Sequence, residues 1–203
     1  MLDNPTIDGL KTLRLLAMAA GLADQQAQPN YAGLSFEERL GLLAGRELAA
    51  RAIVITGPTG TGKTFLACAL AQAAIRNGHP ALYQRAPRML DELAIARGDG
   101  RIARLLAAWA RTSVLVIDDL LLRPLTPDQA ADLLEVIEDR AGLRATIVTS
   151  QLPVPRWHQA IADPTIADAV LDRLLGNADR IDLTGESMRK NTGQPAPAAG
   201  TAA

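Results

Sequence analysis

The sequence predicts an α/β fold: a five-stranded parallel sheet between helices, preceded by a small helical segment. Three observations carry that expectation. Strand-like apolar runs alternate with helical patterns from residue 52 onward. One run, Ala52-Ile53-Val54-Ile55-Thr56, passes through a glycine-rich loop directly into an Ala- and Leu-rich helix from Phe65 to Asn77. Another, Ser113-Val114-Leu115-Val116-Ile117, is apolar throughout, as a buried central strand should be, and ends on Asp118-Asp119.

The bulk numbers agree with this class. A chain of 203 residues holds one α/β domain with an appendage, or one large domain. Hydrophobic residues make up 48% and aromatics only 3%, so the core must be built from Leu, Ile, Val and Ala. The net charge of −1 excludes a global basic field, so any nucleic-acid surface must be local. Cys68 is the only cysteine, which excludes a disulfide framework or a Cys-based zinc site within one chain. A small buried hydrophobe is its expected state. His79 and His158 have no metal-ligand spacing. The N-terminus lacks a basic stretch followed by an apolar one, and no apolar run reaches membrane-span length. A cytoplasmic protein is expected.

In order, residues 6–28 keep helical spacing at Ile7, Leu10, Leu13, Leu16 and Ala20. Ser35-Phe36-Glu37-Glu38 is a capping box that opens a second helix with Leu40, Leu42 and Leu43 on its apolar side, running to about Ala50. This segment, 1–50, is either an interaction module or a lid on the main domain, 51–190. Gly78 caps the helix that follows the glycine loop. Ala81–Gln84 is a short strand, and helices follow at Pro87–Arg97 and 101–111. Thr126-Pro127-Asp128-Gln129 is a second capping box. Thr146–Thr149 is a strand, Pro155–Ala162 and Pro164–Leu175 are helical, and Arg180–Leu183 is the last strand. The stretch 191–203 is a disordered tail. Trp109 and Trp157 are expected as core or interface anchors.

The loop Gly57-Pro58-Thr59-Gly60-Thr61-Gly62-Lys63-Thr64, followed by Phe65, fits the phosphate-loop pattern at every fixed position, in the strand–loop–helix context that gives the pattern meaning. Its glycines let successive N–H groups turn toward phosphate oxygens, and the helix N-terminus adds its positive end. Lys63 supplies charge for the outer phosphates of a nucleoside triphosphate, and Thr64 supplies a magnesium ligand. Asp118 is placed to hold magnesium and Asp119 to polarise water, both at the C-terminal end of a strand, where ligands bind in open α/β sheets. Asp119 is a methylene shorter than Glu, which favours slow turnover. An extra strand between the loop strand and the Asp-Asp strand marks the additional-strand branch of P-loop ATPases. Thr149-Ser150-Gln151 offers polar candidates at the end of the next strand, Gln151 the best of them, or else a plain loop glutamine. Arg173 is either a trans-acting finger for a neighbouring subunit or a surface arginine paired with Asp168, Asp172 or Asp179. Arg85, Arg88, Arg97, Arg101 and Arg104 gather around two helices after the second strand. They serve either as DNA-phosphate contacts or as a solvated face balanced by Asp91, Glu92 and Asp99.

GPTGTGKTFLACALAQAA, VLVIDDL, IVTSQLP, AVLDRLLGNA and GESMRK, in this order, resemble the IstB-like AAA+ transposition helper ATPases, densely over residues 52–190. These proteins partner IstA-type transposases and are related to the helicase loader DnaC and the initiator DnaA. The resemblance implies ATP and Mg2+ at Lys63, Thr64, Asp118 and Asp119, with Gln151 as sensor 1 and Arg173 as arginine finger. It also implies homo-oligomers on double-stranded DNA, DNA along the arginine-bearing helix pair, and regulation of a transposase. One departure is visible. Such helpers usually carry some tens of residues between the LSFEERLGLL helix and the phosphate-loop strand, whereas Gly45–Arg51 here runs almost straight into it, as after an internal deletion. A helicase loader, a small-molecule phosphotransferase and a nucleotide-binding remnant are the competing readings.

Overall fold

The computed structural model describes residues 4–12, 15–49, 51–176, 178–185 and 187, with the side chains of 44–49 outside the description. The expected tail at 191–203 and most of the GESMRK stretch lie outside the described residues.

Five parallel strands form one sheet: β1 (Ala52–Thr56), β2 (Ala81–Arg85), β3 (Val114–Asp118), β4 (Ala145–Ser150) and β5 (Asp179–Asp182). Their order is β2-β3-β4-β1-β5. The expected extra strand is β4, which pairs with both β1 and β3 and so separates the loop strand from the Asp-Asp strand. Side chains alternate across the sheet with a period of two. Ile55, Val114, Val116 and Ile147 pack under Ala67 and Ala71 of α4 (Lys63–Arg76). Val54, Leu115, Ile117 and Val148 face the larger core. That core is built with α5 (Ala86–Gly98), α6 (Ile102–Arg111), α7 (Pro127–Glu138) and α9 (Pro164–Leu175). β3 is buried at all five positions, as its uniform apolarity requires.

α4 is apolar on more than its inner side. Phe65 is 79% exposed and Ile75 48% exposed. Cys68 lies on the outer side too, which corrects the expectation of a buried thiol. The helix ends as expected at Gly78. This residue has φ +81°, and the bonds Gly78 N–H to Ile75 O and His79 N–H to Ala74 O close the end. The Thr126 capping box forms in full at the start of α7.

The first helix is two, α1 (Pro5–Thr12) and α2 (Leu16–Ala27), rather than one over 6–28. Helical spacing of the apolar residues continues through the break, so periodicity could not reveal it. α3 (Phe36–Ala49) opens with the predicted box: Ser35 N–H donates to Glu38 Oε2 at 2.8 Å and Glu38 N–H to Ser35 Oγ at 3.2 Å. The Ser35 N–H, and after it the Ser35 hydroxyl, hold the Glu38 carboxyl below its usual range. Of the expected apolar side only Leu43 is buried; Leu40 and Leu42 are exposed, as is Phe36 of the box. Residues 155–162 form a 3-10 turn (Val154–Arg156) and one helical turn, α8 (Trp157–Ala160), rather than a continuous helix. Trp157 is fully buried there and donates Nε1–H to Leu152 O at 2.7 Å; Trp109 is buried in the same core. A cavity of about 850 Å³ separates α2 from the N-terminal ends of β1, β3 and β4, at the end of the sheet opposite the phosphate loop.

Arg140 is the largest buried charge. It follows α7, is 1% exposed, and donates to Thr146 Oγ1 at 3.1 Å and Thr112 O at 2.9 Å, as well as to the Trp109 and Ala145 carbonyls. Burial pushes its ionisation down to about 10.

Candidate nucleotide site

Local backbone rules shape the loop. Gly60 has φ +87°, and a Cβ there would lie 2.0 Å from Ser187 Oγ. A Cβ on Gly57 would lie 2.3 Å from Leu183 O. The chain leaving β5 therefore lies against the phosphate loop and leaves room for glycine only. Leu183 N–H donates to Thr56 O at 2.8 Å, and Thr56 Oγ1 donates to Asp182, tying that chain to β1. Lys63 is 6% exposed, with Nζ donating to Gly57 O and Pro58 O, both at 2.7 Å. Thr61 Oγ1 donates to Pro58 O at 2.9 Å.

The two aspartates sit where β3 ends. Asp118 is 2% exposed and accepts three hydroxyls. Thr149 Oγ1 donates to Oδ1 at 2.6 Å and Tyr83 Oη to Oδ2 at 2.6 Å. Thr64 Oγ1 stands 3.0 Å from Oδ1 and 3.2 Å from Oδ2. Burial, and then the bond to Asp118, push the Tyr83 phenol well above the usual tyrosine range. Asp119 has φ +59°, a left-handed conformation that Asp tolerates better than most residues. Its N–H donates to Thr149 Oγ1 at 3.0 Å, and its Oδ2 accepts from Arg85 Nη2 at 2.8 Å. That bond raises the Arg85 ionisation further. Leu120 N–H donates to Thr149 O at 2.8 Å and Ser150 Oγ donates to Leu120 O at 2.6 Å, so the turn after β3 is held to β4.

Gln151 reaches the loop: Thr59 Oγ1 donates to its Oε1 at 2.7 Å. The structure thus brings together Thr59, Lys63, Thr64, Asp118, Asp119 and Gln151. Phe65, in the first turn of α4, points outward. Arg173, in the last turn of α9, joins Glu138 of α7 at 2.6 Å and donates to Ala169 O at 3.2 Å. Its ion-pair partner is therefore Glu138, none of the three aspartates expected.

The arginines around α5 and α6 divide. Arg85 binds Asp119. Arg97 bridges to Asp132 and Glu135 of α7. Arg101 pairs with Asp99 at 2.7 Å. Asp91 and Glu92 are in no ion pair with them. Among the described residues Arg88 and Arg104, both exposed, are in no ion pair.

Sequence reasoning missed Tyr83 and Ser187 as neighbours of this site, while Thr149, one of the polar candidates at the end of its strand, is found on Asp118. Parity could have found Tyr83: residues 83, 118 and 149 share the face of the sheet that carries Val116 and Ile147, under α4.

Comparison with known proteins fits this geometry. The insertion sequence ATP-binding protein y4pL of Sinorhizobium fredii is 41% identical over 240 residues, covering 94% of this chain and 98% of that protein. Those 240 positions exceed the 203 residues of this chain, so the relative has residues without a counterpart here. The insertion sequence IS1162 ATP-binding protein of Pseudomonas fluorescens is 38% identical, covering 77% of this chain and 94% of its own length. The crystal structure of the DnaC helicase loader shares the fold, with a TM-score of 0.54 at 20% identity over 77% of this chain and 95% of the loader. The IstB-like ATP binding protein family matches residues 50–196. On that match and these identities, this chain, with its P-loop fold of the AAA+ type, belongs to the IstB-like ATP-binding protein family.

Proposed function

We propose that this chain binds and hydrolyses ATP, assembles as a homo-oligomer on double-stranded DNA, and regulates an IstA-type transposase in the cytoplasm. The observation that carries the reading is the Thr64 hydroxyl facing the Asp118 carboxylate at 3.0 Å, with Lys63 beneath the loop and Asp119 alongside. The relatives named above are insertion sequence ATP-binding proteins, which supports the same reading.

The residues present fit ATP and magnesium. Positive φ at Gly57, Gly60 and Gly62 suits a loop whose N–H groups turn toward phosphate oxygens. A hydroxyl and a carboxylate within hydrogen-bond distance of each other suit a small hard cation that takes few protein ligands. When bound, that ion neutralises charge on the phosphates. Thr64 and Asp118 would hold it. Lys63 adds fixed positive charge at the loop. Asp119 orients the attacking water and accepts its proton. Gln151, bonded to Thr59 of the loop, is the candidate to sense the terminal phosphate. Arg173 serves the site of a neighbouring copy. Arg88 and Arg104 offer DNA-phosphate contacts.

The test is phosphate release by the full chain with and without duplex DNA, alongside Lys63→Ala and Asp118→Asn. DNA-stimulated release, lost on the order of a hundredfold or more in both variants, supports the reading. A chain that stays monomeric with ATP and DNA at high concentration sinks the assembly. A second reading, a nucleotide-binding remnant, draws on the short passage from α3 at Ala49 to β1 at Ala52. ATP binding without turnover, restored by inserting a family-like linker after Leu48, identifies it.

A further inference from the structure

Both oxygens of Asp118 are occupied from outside. Thr149 holds Oδ1 from β4, and Tyr83 holds Oδ2 from β2, each at 2.6 Å. Thr64 lies nearly equidistant from the two oxygens, at 3.0 and 3.2 Å. A carboxylate bracketed in this way is turned end-on toward Thr64. Hydroxyl donors to a carboxylate make short, strong bonds, and donors on opposite oxygens fix the plane as well as the position. Asp118 is 2% exposed, so water is a poor substitute for either donor. The Tyr83 hydroxyl is an unusual device here: β2 is an edge strand, the residue is 42% exposed, and a phenylalanine would fill the same space. Among the described residues its hydroxyl donates to Asp118.

We propose that Tyr83 and Thr149 are positioning residues that aim the Asp118 carboxylate at the Thr64 hydroxyl and so preform the two-ligand magnesium site. This rests on the magnesium role proposed above for Thr64 and Asp118. Partners that orient a metal ligand in this way typically contribute tenfold to a hundredfold in metal affinity. Neither residue is required to touch the nucleotide.

The test reads binding without turnover. Affinity of the full chain for a fluorescent, non-hydrolysable ATP analogue is followed as Mg2+ is titrated from an EDTA-treated start. In the wild type, Mg2+ tightens binding. In Tyr83→Phe the Mg2+ midpoint rises on the order of tenfold or more, while affinity in EDTA stays within about twofold. A midpoint within about twofold of wild type overturns the proposal. A merely structural role would lower melting temperature and both affinities together. Thr149→Val removes the donor on the opposite oxygen and gives an independent reading should Tyr83→Phe misfold; an unmoved midpoint there overturns the bracket. Phosphate release is measured in parallel. If the wild type releases none yet the midpoint still shifts, hydrolysis fails and the bracket stands. If Mg2+ does not tighten binding in the wild type, the metal assignment and the bracket fall together.

Discussion

Arg85 Nη2 lies 2.8 Å from Asp119 Oδ2, so the last residue of β2 holds the carboxylate assigned to the attacking water. The arginine is half exposed and the aspartate mostly covered, at 47% and 19% for the two side chains. A carboxylate engaged this way is drawn toward β2, with one oxygen committed to the guanidinium instead of to water. Arg85→Ala is predicted to raise phosphate release without DNA by on the order of tenfold, a modest part of what a positioned base contributes. It should also reduce the further stimulation by DNA. A fall in the basal rate would mean that Arg85 orients Asp119 instead of restraining it.

Arg173 separates stability from assembly. Its pairing with Glu138 is a partly exposed ion pair, worth roughly 0.2–1 kcal/mol. Arg173→Ala should therefore shift the melting temperature little. As a finger in a neighbour's site it is expected to lower DNA-stimulated hydrolysis by about a thousandfold. Glu138→Ala removes the same ion pair and serves as control. Equal loss of hydrolysis in both variants would count against the finger.

Arg140 is predicted to matter for folding and not for chemistry. It ties the end of α6, the end of α7 and the start of β4 through bonds to Thr112, Trp109, Ala145 and Thr146. Arg140→Met removes the donor that these acceptors share inside the core and should cost about 3–5 kcal/mol in urea unfolding. Arg140→Lys should recover only part of this, because an ammonium lacks the planar fork that reaches several acceptors at once.

Arg88 and Arg104 are the arginines of the α5–α6 group left available for phosphate. The double alanine variant should weaken duplex binding irrespective of sequence and lower the slope of log affinity against log salt by roughly 2. Arg97→Ala, which breaks the link from α5 to α7, should instead lower the melting temperature and leave the salt slope unchanged. The reverse pattern would move the DNA path off these helices.

The chain's own residues carried much of this. The strand–loop–helix unit at 52–76, the fully apolar β3 with its aspartate pair, both capping boxes and the Schellman end at Gly78 were legible because each depends on neighbours within a few positions. The break between α1 and α2 was not, since apolar spacing runs through it. Cys68 was misjudged because α4 is apolar on both sides, and composition cannot say which side meets the sheet. Nor could sequence choose Glu138 over three nearer aspartates for Arg173, since packing of α7 on α9 made that choice.

The phosphate loop from Gly57 to Thr64 and the aspartates at the end of β3 were thus determined by sequence alone, because local spacing suffices to specify them. What surrounds Asp118 was decided by tertiary structure. β2, β3 and β4 lie side by side, and their parity puts Tyr83, Asp118 and Thr149 on one face beneath the first turn of α4. A period of two tells which face a residue takes, but only strand order and register tell which residues share that face at one end. That physical step turned an unremarked tyrosine on an edge strand into a neighbour of the Asp118 carboxylate.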